Sequence, residues 1–224
     1  MKAMILAAGL GKRLRPLTNT VPKPNLMVGD KSLIQRNIEK LISSGFKEIV
    51  INISHLGHKI KEHVCENFSD IEISFSEESE PLGTGGGVKK ALNLLGEEPF
   101  LLLNADIYHL IDLNIAHHDV EFAHIIGVPN PEHNLKGDFS LDGTKVSIKK
   151  NSNNEFTWSG ISIINPVIFN DTNNLIAPYS IWGSVIKKYI QDAKVTAEIS
   201  QKTWIDTGTI GRLGLANKSF KEEN

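Results

Sequence analysis

Residues 4–7, Met-Ile-Leu-Ala, form an unbroken apolar run of strand length, and the chain after Ala8 changes to glycine, base and proline. Leu33, Ile34, Ile38, Leu41 and Ile42 then recur at helical spacing, with Gly45 where a C-terminal cap falls. Residues 48–53, Glu-Ile-Val-Ile-Asn-Ile, read as a second strand, residues 55–68 as a helix, and residues 71–75 alternate as a third strand. Strand and helix thus alternate three times. That rhythm predicts a parallel sheet with right-handed crossovers and helices on both faces.

Leu82-Gly83-Thr84-Gly85-Gly86-Gly87 opens a further helix to about Leu95, and residues 100–103 give a strand that ends in Asn104-Ala105-Asp106. Beyond about Asp119 the pattern changes. Residues 122–128, 137–141, 145–149 and 156–164 read as strands with few helices between them, residues 181–190 and 210–220 as helices, and residues 203–206 as a short strand. The expected fold class is α/β: a Rossmann-like open mixed sheet, mostly parallel, with helices on both faces and a small antiparallel lip over the cleft. Residues 1–224 are expected to form one domain, with a first half of about 1–119 and a second of about 120–224. Ligands of such sheets bind beyond the carboxyl ends of strands. The loop after residue 7, the glycine cluster and Asp106 all follow strands, so all three should face one cleft.

Charge sharpens this. Lys2, Lys12, Arg13, Arg15 and Lys23 all precede Asp30, the first acidic residue. Gly9 and Gly11 let amides approach an anion closely, and a concentrated positive field on a glycine loop suits phosphate. Lys23 lies between Pro22 and Pro24, on backbone whose torsions are already narrowed. The basicity is local, since the net charge is -2. That balance argues against a general binder of nucleic acid or membrane surface. Cys65 is the one cysteine, which excludes an internal disulfide and a thiolate zinc cluster, and it reads as a packed helix side chain. The apolar stretch 3–8 is too short for a signal segment and no run reaches membrane length, so a cytoplasmic location is expected.

Leu6-Ala7-Ala8-Gly9-Leu10-Gly11-Lys12-Arg13-Leu14-Arg15-Pro16-Leu17-Thr18, followed by Pro22-Lys23-Pro24, resembles the signature of the sugar-1-phosphate nucleotidyltransferases. A Walker A loop would need glycine, lysine and Ser/Thr in succession, which Gly11-Lys12-Arg13 does not provide. Trp204-Ile205-Asp206-Thr207-Gly208-Thr209 resembles the family's W-x-D-x-G-T, and the segment from Glu80 to Gly87 its base-binding loop. The short chain and the triple glycine are similar to the branch of N-acetylmuramate α-1-phosphate uridylyltransferases. The resemblance implies UTP and an α-sugar 1-phosphate as substrates, with the first half binding nucleotide and the lip binding sugar.

Such a reaction needs attack by a phosphate oxygen on the α-phosphorus with pyrophosphate leaving in line. Both reactants are anions, so positioning and charge neutralisation matter more than a base. On the resemblance, Arg13 takes the departing phosphates with amides around Gly11 and Lys12, and Lys23 bridges the α-phosphate and the sugar phosphate. Gly9, Glu80, Gly85 and Asn104 complete the nucleotide site, and Asn104, Asp138, Ser159 and Gly160 face the sugar. Trp158 serves either core packing or sugar contact. Asp106 and Asp206 form a Mg²⁺ pair, since magnesium takes few carboxylates and fills its octahedron with water and phosphate. Thr209 can cap the last helix, which frees Asp206.

Some features depart from the family pattern. The E-K-P run of the thymidylyl and larger guanylyl branches is missing at residues 148–151, Asn25 stands where an apolar residue is usual, and Ala105 replaces a frequent glycine. Alanine would strain the metal site if position 105 needed positive φ. Rival readings are a guanylyltransferase acting on mannose 1-phosphate, a dinucleotide-dependent oxidoreductase and a catalytically idle homologue. The oxidoreductase lacks the acidic ribose contact about 20 residues on, and intact Arg13, Lys23, Asp106 and Asp206 oppose idleness. The pairs His55/His58 and His117/His118 lack a regularly spaced third metal ligand. A monomer or small homo-oligomer is expected, with neither nucleic acid nor membrane as partner.

Overall fold

The computed structural model describes residues 1–114 and 120–223. The strands are β1 (Ala3–Leu6), β2 (Met27–Val28), β3 (Lys31–Ser32), β4 (Glu48–Ile53), β5 (Glu72–Glu77), β6 (Phe100–Asn104), β7 (Ile107–His109), β8 (Ala123–Pro129), β9 (Ser140–Asp142), β10 (Lys145–Ser147), β11 (Phe156–Ile164), β12 (Val195–Ile199) and β13 (Trp204–Asp206). The α-helices are α1 (Leu33–Ser43), α2 (Gly57–Asn67), α3 (Gly83–Leu95), α4 (Lys187–Gln191) and α5 (Ile210–Glu223).

Nine strands form one sheet in the order β5-β4-β1-β6-β11-β8-β12-β10-β9. The pairs β5/β4, β4/β1, β1/β6 and β8/β12 are parallel, while β11 and β10 run against both their neighbours. Seven of the nine strands therefore point one way, as expected for an open mixed sheet. Strand β1 sits between β4 and β6 because its residues are apolar on both faces. Ala3 and Ile5 pack with Ile34, Ile38 and Leu41 of α1 and with Ile60 and Val64 of α2. Met4 packs on the other face with Val88, Ala91 and Leu95 of α3.

The chain passes from β1 to β4 and β5 on one side and then returns to place β6 on the other. The sheet's order thus switches beside β1, the position where such sheets hold ligands. Register makes the strand ends level, with Leu6 beside Asn52 on one side and Asn104 on the other. Helix α1 is anchored at its start by Ser32, whose Oγ accepts from Gln35 N at 3.2 Å. At its end Gly45 adopts φ 86° and Phe46 N donates to Leu41 O. Midway along it, Asn37 is buried and its amide donates to the carbonyls of Ala105 and Ile107 at 3.4 and 3.5 Å. Those carbonyls flank Asp106.

The second half differs from expectation in detail. The strands expected at 137–141 and 145–149 are the shorter β9 and β10, which extend the main sheet at its far edge. Strand β12 was not anticipated, although Val195, Ala197 and Ile199 alternate with Thr196 and Glu198. Residues 181–190 are not one α-helix: a π-helix over Ile181–Ile186 precedes α4. The short strand before α5 pairs with β7 as a separate two-stranded ribbon. Cys65 is exposed on α2 rather than packed, which corrects that expectation. Helix α2 turns Ile60 and Val64 to the core, and Cys65 falls outside that stripe.

His109 ends β7, 5 % exposed. Burial, and then the charge of Lys40, pushes its pKa down to about 3 from the ordinary 6.5. The folded ring stays neutral where the unfolded chain's ring takes a proton, so the stability it supports is complete above pH 6.5 and is lost as pH falls toward 3. The replacement His109→Gln should therefore flatten the fall in urea midpoint below pH 6.5. An unchanged pH profile would count against the neutral buried ring.

Candidate active site

The cleft lies beyond the carboxyl ends of β1 and β6. A cavity of about 200 Å³ is lined by Ala7, Ala8 and Gly9 after β1, by Lys23 and Pro24, by Pro81, Gly83 and Thr84, and by Asn104, Ala105 and Asp106. The basic loop, the glycine cluster and Asp106 thus meet in one cleft, as their positions after strands predicted. A second cavity of about 350 Å³ adjoins it and shares Asn104 and Asp106. Its walls include His133, Asp138, Trp158, Ser159 and Asp206. Asn104 and Asp106 stand where the two chambers join.

The first chamber is braced by a buried polar chain. Asn52, 2 % exposed, accepts from Ala7 N at 2.8 Å and donates to Glu78 Oε1 at 2.7 Å. The other oxygen of Glu78 accepts from Leu82 N at 2.9 Å. One side chain therefore ties the β1 loop to the loop that begins α3. The close approach explains Gly87, where a Cβ would stand 2.6 Å from Asn52 Nδ2 and 2.7 Å from Glu78 Oε1.

Lys23 is 8 % exposed and its ammonium donates to Asp106 Oδ2. It sits in a 3-10 turn over Lys23–Asn25 that the flanking prolines pre-form. Asp106 continues into β7, and its carbonyl accepts from Thr207 N at 3.0 Å and Thr207 Oγ1 at 2.8 Å. Register in the β7/β13 ribbon sets Asp206 opposite Ile107. The ribbon thereby carries both aspartates to one chamber from distant parts of the chain. Asp206 Oδ1 accepts from Gly208 N at 2.6 Å, and Arg212 Nη2 lies 3.3 Å from each carboxylate oxygen. His133 Nε2 stands 3.7 Å from Asp206 Oδ2, and its pKa is lowered by burial and by Arg212 against the pull of Asp206. Thr209 accepts from Arg212 N at 3.3 Å and so caps α5, leaving Asp206 its own role.

The protein family model described as Nucleotidyl transferase matches residues 2–133. The chain belongs to the nucleotidyl transferase family. It is 38% identical over 223 residues, covering 95% of each chain, to the N-acetylmuramate alpha-1-phosphate uridylyltransferase of Neisseria meningitidis serogroup B. It is 30% identical over 230 residues to a mannose-1-phosphate guanyltransferase of Schizosaccharomyces pombe, spanning 93% of this chain and 61% of that protein. Its fold is similar to the crystal structure of HddC from Yersinia pseudotuberculosis complexed with GMP-PN, with a TM-score of 0.76, 24% identity and coverage of 98% and 99%.

Within this nucleotidyl transferase the expected site residues fall into distinct groups. Gly9, Lys23, Asn104 and Asp106 line the first chamber, and Asn104, Asp106, Asp138, Ser159 and Asp206 the second. Gly160 stands behind Asn104 at φ 81°, in a β-bulge where a Cβ would meet Asn104 Nδ2 at 2.4 Å. Gly11, at φ 61°, serves the turn that presents exposed Lys12 and Arg13, with Thr18 Oγ1 donating to its carbonyl at 2.8 Å. Arg13 reaches the loop after Asp206, where its Nη2 lies 2.7 Å from the place a Cβ on Gly208 would take.

The two residues expected to meet nucleotide from the loop before α3 stand apart from the cleft lining. Glu80 is exposed and lies outside the cleft lining, and the carboxylate that lines it belongs to Glu78. Gly85 also lies outside the lining: its N–H donates to Tyr179 O at 2.9 Å. Ala105 lines the cleft without positive φ, so alanine there is unstrained. Trp158 lines the second chamber and stacks on Trp182 at 5.3 Å. His55 and His58 are exposed, and His117 and His118 lie outside the described residues. Sequence reasoning passed over Asn52, Glu78 and Arg212. Asn52 had a signal, a polar residue inside the apolar run Ile49-Val50-Ile51-Asn52-Ile53.

Removing the brace should be costly where removing the neighbouring acid is not. Asn52→Ala leaves the buried Ala7 amide and one oxygen of Glu78, Oε1, without their acceptor and donor partner and should destabilise by about 2 kcal/mol or more. Glu80→Ala should stay within about 0.5 kcal/mol of the parent. Urea unfolding of the two variants measures the contrast, and equal losses would refute it.

Proposed function

We propose that the protein transfers a uridylyl group from UTP to an α-sugar 1-phosphate, N-acetylmuramate 1-phosphate, and releases pyrophosphate, in recycling of cell-wall peptidoglycan. The observation that carries this reading is the 38% identity across 95% of both chains to the Neisseria meningitidis uridylyltransferase. A sugar phosphate oxygen forms a bond to the α-phosphorus as the bond to the bridging oxygen of pyrophosphate breaks. The attacking oxygen is ionised at neutral pH, so the chain's task is alignment and neutralisation.

The chambers are suited to that task. The first would take the nucleotide, with Gly9 open toward it and Lys23 on its wall. The second would take the sugar against Asp138, Trp158 and Ser159. Lys23, held between prolines and buried, would lie between the two phosphates with little freedom to lose. Arg13, beside the Asp206 loop, would meet the departing pyrophosphate with its guanidinium fork.

Asp106 and Asp206 fit magnesium, because two hard carboxylates line one chamber and leave the remaining positions to water and phosphate. When bound, Mg²⁺ would supply neutralisation of phosphate charge. The chain's own contribution is to hold those carboxylates: Thr207 fixes the Asp106 backbone, and Gly208 N and Arg212 orient Asp206.

Pyrophosphate release with Mg²⁺ tests the reading, with UTP, dTTP, GTP, ATP and CTP each set against N-acetylmuramate, glucose, N-acetylglucosamine and mannose 1-phosphates. Turnover with UTP and the muramic sugar is expected. Turnover with GTP and mannose 1-phosphate would move the chain to the guanylyl reading that its similarity to the Schizosaccharomyces pombe enzyme keeps open. The substitution Asp106→Asn should lower kcat roughly a hundredfold with the fold intact, and Lys23→Ala should impair use of the sugar phosphate. Normal turnover of Asp106→Asn at saturating Mg²⁺ would remove the metal pair.

A further inference from the structure

The glycines at the start of α3 carry the imprint of another residue. Tyr179 N donates to Leu82 O at 3.2 Å, and Gly85 N donates to Tyr179 O at 2.9 Å. Two residues on, Ile181 N donates to Thr84 Oγ1 at 2.9 Å. Three hydrogen bonds thus clamp the loop from one short stretch. A Cβ on Gly83 would stand 2.5 Å from Tyr179 O, and one on Gly85 2.5 Å from Tyr179 Cε2. On Gly86 it would meet Leu82 Cβ first, at 3.0 Å, with Tyr179 Cε1 at 3.6 Å. At Gly83 and Gly85 a side chain would meet the tyrosine before anything else.

The loop is therefore a thin wall. Gly83 and Thr84 form its inner surface in the first chamber, and Tyr179 backs its outer surface. The Gly85 amide is spent on the tyrosine carbonyl and is not offered to a ligand. Gly87 faces Asn52 and Glu78 instead, which fixes the wall to β4 at its other end. The stretch that carries Tyr179 stands largely in solvent, with Ile176 89 % exposed. Directly after it begins the π-helix Ile181–Ile186, whose start Ser180 caps through Gly183 N at 3.1 Å. Helices of this kind are uncommon and occur often at functional sites.

We propose that Tyr179 is a positioning residue for the nucleotide: its ring and backbone set how far the Gly83–Thr84 wall stands from Gly9, and so set the affinity for a nucleoside triphosphate without touching it. This rests on reading the first chamber as the nucleotide site. The ring matters rather than the hydroxyl, because ring carbons are what stand nearest Gly85.

Calorimetric titration with UTP and GTP tests this without reference to turnover, with thermal unfolding run alongside. The variant Tyr179→Leu should bind UTP about tenfold more weakly, the equivalent of one or two weakened hydrogen bonds. Tyr179→Phe should bind as the parent does. Gly85→Ala, whose methyl would push the ring away from outside the cleft lining, should weaken UTP to a similar extent. The double change Gly85→Ala with Tyr179→Leu should be no worse than either single one, because both act through one contact. Parent-like affinity in folded Tyr179→Leu, equal weakening in Tyr179→Phe, or additive losses would each overturn the proposal. Should Tyr179→Leu fail to fold, Gly85→Ala decides: parent-like affinity in that variant overturns it. A parent protein that binds neither nucleotide would instead overturn the nucleotide reading, and this proposal with it.

Discussion

Asn52 joins the loop that follows β1 to the loop that leads into α3. Its carbonyl oxygen takes the Ala7 amide where β1 stops, and its amide takes Glu78, which in turn holds Leu82 at the threshold of α3. A carboxylate buried at 5 % exposure is tolerated there because each oxygen has a donor. Through this chain the level ends of β4, β1 and β6 become three sides of a chamber. The parallel sheet sets where a cleft can open, and Asn52 ties the β1 side of it to the α3 side.

Charge is organised on the same frame. The N-terminal segment gathers cations before any acid appears, yet the structure spends them unevenly. Lys23 is buried and paired with Asp106, while Lys12 and Arg13 stay exposed on the turn that Gly11 makes possible. A buried pair gains little stability on balance, since desolvation offsets attraction. Its value here is placement. An ammonium fixed by prolines on one side and a carboxylate on the other stays beside Asp106, where the two chambers join.

The sequence was most legible where one strand's own residues decide its environment. The two-sided apolar run at β1 and the helix stripe of α1 gave the sheet's first half and its ligand end, and the loop from Gly9 to Pro24 gave the family. Less was legible where a residue's meaning depends on a distant partner. Glu80 and Glu78 differ by two positions in an acidic stretch, and only Asn52, donating from another strand, makes the second one matter. Gly85 read as open backbone because Tyr179, far along the chain, cannot be seen in the local pattern. Strands β12 and β7, and the pairing of β7 with the expected short strand β13, were missed for the same reason: each is short, and pairing with β8 or with the opposite strand, rather than its own composition, holds it extended.

Thr207 grasps the carbonyl of Asp106 across 101 residues of chain. Contacts of such separation form late in folding, because the entropy of closing the intervening loop must be met before they return anything. During synthesis the strands β1, β4, β5 and β6 can associate while the ribosome still holds β13 and α5. The residues that line the first chamber are thus made early, and the second aspartate follows in β13. Asp106 and Asp206 can be brought together only once β13 has been made and has paired with β7.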